Sequence, residues 1–194
     1  YIPHRVDEGY GLNPAAVQSL IHSGTQLLIT IDCGITALVP ITLARQQNVD
    51  VIVSDHHEFA LTPAGAVDLP PATAIVHRRL KWSVVSGQRS EAIDHPPSPS
   101  DHWPPTTDHS SPYPNPDLCG AGVAFKLAWA VAQTLCNAER VAETYRTLLL
   151  EFSALAALGT IADVVPLTGE NRILVKYGLA QLARTQLSGL QALI

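Results

Sequence analysis

Leu27-Leu28-Ile29-Thr30-Ile31 running into Asp32-Cys33-Gly34, and Val49-Asp50-Val51-Ile52-Val53-Ser54 running into Asp55-His56-His57, are the two stretches whose reading decides the fold. Each is a short, β-branched apolar run that stops at a carboxylate. Such runs, with little polar alternation, read as strands covered on both faces, as in a parallel sheet. Between them, a helix over roughly Thr36 to Gln47 is expected, with Pro40 marking its start or a kink. Upstream, Asn13-Pro14 pairs a capping side chain with Pro at the first helical position. Ala15, Ala16, Val17, Leu20 and Ile21 then give an apolar stripe that Gly24 closes. Downstream, Ala74 to His77 reads as a third strand. This alternation predicts an α/β class: a parallel sheet flanked by helices. The polar residues past the carboxyl ends of the first two strands lie on the edge where such sheets bind ligands.

Three segments follow: residues 1–79 as the α/β part, 80–117 as a loop insertion and 118–194 as a helical continuation. Residues 81–117 hold eight of the chain's fifteen Pro and almost no apolar periodicity, which predicts a long surface loop. His95, His102 and His109 fall there at irregular spacing and read as solvated. In the third segment, Gly122 to Cys136 is apolar nearly all round, as in a buried helix. Ala138 to Gly159 predicts a second core helix on Val141, Tyr145, Leu148, Leu149, Phe152, Leu155 and Leu158. Ala162-Asp163-Val164-Val165-Pro166-Leu167 breaks it, and Gly169-Glu170-Asn171-Arg172 opens a third helix reaching about Thr185.

Across 194 residues, 46% are apolar and 15% charged, enough for one ordinary core and too apolar for wholesale disorder. Twelve Lys and Arg against seventeen Asp and Glu give −5, the wrong sign for a non-specific nucleic-acid coat protein. Phosphate binding must then rest on a few placed groups or on a metal. Three Cys in a chain of this size favour a reducing, cytoplasmic setting. The opening residues carry no targeting pattern, and the apolar runs read as too short to cross a bilayer. Both ends read as cut, so a fragment is expected.

Asp55-His56-His57 is the strongest chemical signal. Just past a strand, two imidazoles and a carboxylate can turn toward one cavity and suit a divalent transition ion such as Mn²⁺ or Zn²⁺. Asp32 ends the neighbouring strand in the same way, about 4.8 Å away if the two strands pair. Taken singly, Asp32 and Asp55 are as easily helix caps; together at one sheet edge they favour a metal site. Asp163 is a lone carboxylate in an apolar run, so it needs a partner: a metal, a cation or first-turn amides. Gly120-Ala121-Gly122 ahead of a helix could let backbone N–H groups approach a phosphate, and Arg172 could fork onto one. Cys33, Cys119 and Cys136 form no CxxC pair and read as small buried apolar residues.

At these residues the chain resembles the DHH phosphoesterase superfamily, and within it the exonucleases specific for single-stranded DNA. The matching pieces are Tyr1 to Arg5 with Glu8 to Leu12, Leu28 to Ile35, Val51 to Glu58, Leu118 to Leu127, Ala157 to Leu167 and Gly169 to Arg172. The resemblance implies a 5′-to-3′ exonuclease of recombination and repair, using two divalent ions, usually Mn²⁺ with Mg²⁺ as the alternative. It implies Asp32 as the bridging ligand and His56 and Asp163 as further ligands. Asp55, of the same triad, and His57 would be the catalytic residues, with His57 against the scissile phosphate or a ligand. Arg172 would sit on a phosphate. Single-stranded DNA would be the partner, with other repair or recombination proteins as further candidates and no membrane involved. The family's earlier strand with its Asp-x-Asp motif is expected to lie outside this stretch, which without those carboxylates for the second ion is expected to be inactive or nearly so. Its basic substrate domain and oligonucleotide-binding fold are likewise expected outside it, which would account for the acidic balance. The rival readings are a relative that cleaves pyrophosphate or very short oligonucleotides, and a non-catalytic scaffold.

Overall fold

Asn13 starts the first helix as the sequence predicts. Its Oδ1 accepts from Ala16 N at 2.8 Å, and Pro14 takes the first helical position of α1 (Pro14–His22). The computed structural model describes residues 1–62, 67–80 and 113–194. Residues 81–112 of the expected loop, with His95, His102 and His109, lie outside them. Next come β1 (Leu27–Ile31), α2 (Leu38–Gln46) and β2 (Asp50–Asp55). Pro40 sits in the first turn of α2, where a missing N–H breaks no intrahelical bond. A short antiparallel pair, β3 (Ala60–Leu61) and β4 (Val67–Asp68), precedes β5 (Ala74–His77).

The main sheet has the order β1-β2-β5, all parallel, with Ile31 opposite Ser54 and Asp55 opposite His77. Alternate residues of β2 serve opposite faces, as the two-residue period of a strand requires. Val51 and Val53 pack with Val17, Ile35, Ile41 and Ala44 under α1 and α2. Ile52, with Ile29 and Ile31, faces the third helix on the other side. Both faces of β2 are thus covered, which is why it reads as a continuous apolar run. β1 is less enclosed than its sequence suggests: it is an edge strand among the described residues, and Ile29 and Ile31 stay 47% and 58% exposed.

The helical part is α3 (Gly120–Cys136), α4 (Glu143–Ala162), α5 (Gly169–Leu182) and the single turn α6 (Ser188–Gln191). Leu118, Val123, Phe125, Leu149, Ala156 and Leu174 form its core. α4 begins at Glu143, later than the apolar pattern from Ala138 suggests. Asn137 at φ 48° ends α3 in the left-handed conformation, and the chain needs a turn to reverse. At 20 residues α4 is long and apolar enough to cross a membrane by length and composition alone, which corrects the expectation that no run is. Here it packs in protein, with Ala154, Ala157 and Thr160 fully buried. Gly178 of α5 lets the two helices close up, since a Cβ there would strike Ser153 O and Ala157 Cβ.

Candidate metal centre

β1 and β2 end side by side, and their next residues supply the site. Asp32 N still donates to Ser54 O at 2.9 Å, extending the ladder by one bond. The chain then turns sharply, with Asp32 at φ 61°. Asp tolerates this left-handed conformation better than most residues. The turn lays the Asp32 carboxylate against the first turn of α3, where a Cβ on Gly120 would collide with it.

Asp55 ends β2 pointing inward and is 1% exposed. Its Oδ2 accepts from Ile35 N at 2.9 Å. Its Oδ1 accepts from His56 N at 2.7 Å, His57 N at 3.2 Å and His57 Nδ1 at 2.7 Å. Burial pushes the Asp55 pKa up, but these hydrogen bonds outweigh it and hold the carboxyl below its ordinary range. The sequence reading places Asp55 among the catalytic residues. In the structure it accepts from four N–H groups, three of them on Oδ1, and so orients His56 and His57.

The two imidazoles fan out above it, centroids 4.4 Å apart. His56 Nε2 lies 3.1 Å from Asp32 Oδ1, and its Nδ1 lies 3.7 Å from Asp163 Oδ2. Both ring nitrogens are buried, and neither makes a hydrogen bond of acceptable geometry. Asp163 arrives as the C-cap of α4, its N donating to Gly159 O at 2.9 Å. Ligand atoms of Asp32, His56 and His57 all lie within 4.8 Å of one another. Buried nitrogens without partners are costly, and here they face two carboxylates. Carboxylate oxygens with an imidazole suit Mn²⁺, Mg²⁺ or Zn²⁺, so the residues present fit a divalent ion. Burial raises the Asp32 pKa; His56 and His57 oppose that, while Asp163 and Asp55 add to it. A cation held there would relieve the same cost.

Asp32, His56, His57 and Asp163 are therefore brought together, with Asp55 beneath them. The phosphate candidates fare differently. Gly122 N donates to Cys119 Sγ at 3.4 Å, an N-cap that takes up this amide, and a Cβ at Gly122 would strike Leu118. Gly120 serves the close approach of Asp32. Arg172 is exposed on the first turn of α5, and among the described residues no ion pair joins it to Asp32 or Asp163.

Three neighbours have roles at the site that the sequence does not give, although Tyr10 and Asn171 lie inside the matching pieces Glu8 to Leu12 and Gly169 to Arg172. Tyr10 Oη donates to Asp32 O at 3.0 Å and lies 3.3 Å from His57 Nε2. His77 Nε2 donates to His57 O at 2.8 Å, and burial pushes its pKa down, keeping the ring neutral. Asn171, 1% exposed, ties the loop before α3 to the loop after Asp163. Each acts on a segment distant along the chain, so only the fold could reveal it. A cleft of about 430 Å³ opens beside Tyr10, Cys33, Asp55 and His57.

Residues 1–81 match the DHH family, N-terminal domain. Over all 194 residues the chain is 37% identical to the single-stranded-DNA-specific exonuclease RecJ of Bacillus subtilis, and covers 19% of it. It is 35% identical over 193 residues to RecJ of Thermus thermophilus, covering 22% of it. A crystal structure of exonuclease RecJ bound to manganese superposes with a TM-score of 0.67 at 34% identity, over 100% of this chain and 38% of that one. The Thermus thermophilus RecJ structure in complex with Mn²⁺ gives 0.60 at 31%, over 93% of this chain and 20% of that one. The chain spans about a fifth of the length of these two curated relatives. The chain is thus similar to the N-terminal domain of the DHH family over residues 1–81, and over its whole length to one segment of the RecJ exonucleases.

Proposed function

We propose that the natural protein containing this chain hydrolyses phosphodiester bonds of single-stranded DNA from the 5′ end, in recombination and repair in the cytoplasm. Asp32, His56 and Asp163 hold divalent metal, Mn²⁺ first and two ions in the intact site. The observation that carries this reading is the buried His56 ring, both nitrogens unpartnered, set between the Asp32 and Asp163 carboxylates. The similarity to RecJ proteins, two of them solved with manganese, supports the same substrate and ion.

A divalent ion bound there neutralises phosphodiester charge and acidifies water. The chain's own residues do the rest. Asp55 fixes His57 with its Nδ1–H donating inward, which leaves Nε2 as an acceptor facing the cleft beside Tyr10. From there His57 can accept the proton of the attacking water as its O–P bond forms and the ester P–O bond breaks, with the ionised Asp55 stabilising the imidazolium and the leaving oxygen protonated from solvent. His77 pins the His57 carbonyl, so the ring keeps its aim.

The test is digestion of 5′-labelled single-stranded DNA by the natural full-length protein with Mn²⁺. Asp32→Ala should abolish it, and double-stranded DNA should resist. Hydrolysis of pyrophosphate with DNA left intact would move the protein to the other enzymatic reading.

A further inference from the structure

The turn that carries Asp163 has two hydrogen bonds of its own, from Asp163 N to Gly159 O at 2.9 Å and from Val164 N to Ile161 O at 3.1 Å, which close the end of α4. Val164 sits at φ 55° and is 86% exposed. A β-branched residue in the left-handed region is a strained outlier, which persists only where its surroundings over-determine it. Nothing packed around the Val164 side chain can supply that constraint. A further constraint lies two residues on, where Asn171 Nδ2 donates to Pro166 O at 3.0 Å.

The same amide nitrogen donates to Asp117 O at 2.9 Å, and Asn171 Oδ1 accepts from Asn115 Nδ2 at 2.8 Å. Asp117 opens the run Leu118-Cys119-Gly120 that brings Gly120 against the Asp32 carboxylate. One buried side chain thus ties the segment that seats Asp32 to the segment that presents Asp163. His56 is caught between the two carboxylates. Asn171 contacts neither carboxylate itself. Its neighbours reinforce its place: Glu170 accepts from Tyr113 Oη at 2.8 Å and pairs with Lys126 Nζ at 2.9 Å, fixing the start of α5.

We infer that Asn171 is a positioning residue for the metal centre: it holds the Val164 turn in its strained form and so sets the separation of the Asp32 and Asp163 carboxylates. The inference rests on the metal-site reading above. Outer residues that orient ligands commonly change metal affinity by roughly 10–100-fold. Replacing Asn171 lets the Val164 turn relax to an unstrained conformation and carries Asp163 away from His56. Glycine is free of the left-handed penalty, so Gly at 164 should let the turn stay in place without Asn171.

The experiment is Mn²⁺ binding to the natural full-length protein, read by titration of free Mn²⁺, with thermal unfolding measured alongside. Asn171→Ala should weaken Mn²⁺ binding by about 10-fold or more. Val164→Gly alone should leave it nearly unchanged, and the double variant should recover much of the loss. Thr185→Ala, a buried polar deletion bonded to Glu151, should lower the melting temperature and leave Mn²⁺ binding alone. Should Asn171→Ala fail to fold, Asn171→Ser, which keeps one donor, should show the same direction and the same rescue. Unchanged Mn²⁺ affinity in the Asn171 variants, or a loss that Val164→Gly does not restore, overturns the positioning role. Unchanged affinity in Asp32→Ala would instead overturn the metal-site reading beneath it.

Discussion

At the residue scale, Asp55 and His56 share one strand end and do opposite work. Asp55 gathers four N–H groups, whereas His56 is buried between two carboxylates without a hydrogen bond of acceptable geometry. Their variants should therefore separate. Asp55→Ala strands the amides of Ile35, His56 and His57 and should cost about 3 kcal/mol of stability in denaturant unfolding. His56→Leu removes two buried nitrogens that make no hydrogen bond of acceptable geometry, so stability without metal should hold or rise while Mn²⁺ binding is lost. Equal destabilisation by both would show that His56 has a structural role after all. Asp32, His56 and Asp163 are legible in the sequence because each interrupts an apolar run with a group that cannot be buried alone. Tyr10 and Asn171 fall inside matching pieces, but their contacts, like those of His77, are not legible, because their partners lie 47, 54 and 20 residues away along the chain.

At the element scale, the strands and helices follow from local pattern, and their boundaries from tertiary detail. β5 and α1 appear where the apolar runs place them. α3 starts at Gly120 rather than Gly122, because Cys119, not a hydroxyl or carboxylate, caps it through Sγ. How α4 and α5 pack has no local signature, since it depends on Gly178 meeting Ser153 O. Gly178→Val should force the helices apart and cost about 2–3 kcal/mol by denaturant melt. The docking of α5 also carries a pH dependence. Burial pushes the Glu170 pKa up, but Lys126 and Tyr113 bond its carboxylate and hold the value below the ordinary 4.5. A depressed carboxyl stabilises the fold fully above its ordinary pKa and loses that contribution as pH falls through the lower, folded value. Glu170→Gln should therefore flatten the loss of stability in acid below about pH 4.5. An unchanged acid slope would remove Glu170 from the account.

At the scale of the whole molecule, two separately packed parts meet at one cleft. The sheet under α1 and α2 supplies Asp32, Asp55, His56 and His57, and the helical core supplies Asp163. The link between them runs through Gly120 against Asp32 and through Arg78, whose Nη1 donates to Leu118 O at 2.9 Å. Composition alone reaches only the statement that phosphate binding needs a few placed groups or a metal. Folding shows where those groups meet. His56 and Asp163 are distant along the chain, yet His56 Nδ1 lies 3.7 Å from Asp163 Oδ2. That proximity exists only because α3 packs on the sheet and α4 packs on α3.

The central claim is that Asp32, His56 and Asp163 form one divalent-metal centre. The most direct measurement is anomalous diffraction at the manganese edge from crystals of the natural full-length protein grown with Mn²⁺. An anomalous peak should appear within ligand distance of Asp32, His56 Nε2 or Nδ1, and Asp163, and should be lost in Asp32→Ala. A protein that binds Mn²⁺ elsewhere, with no peak between these three side chains, would contradict it.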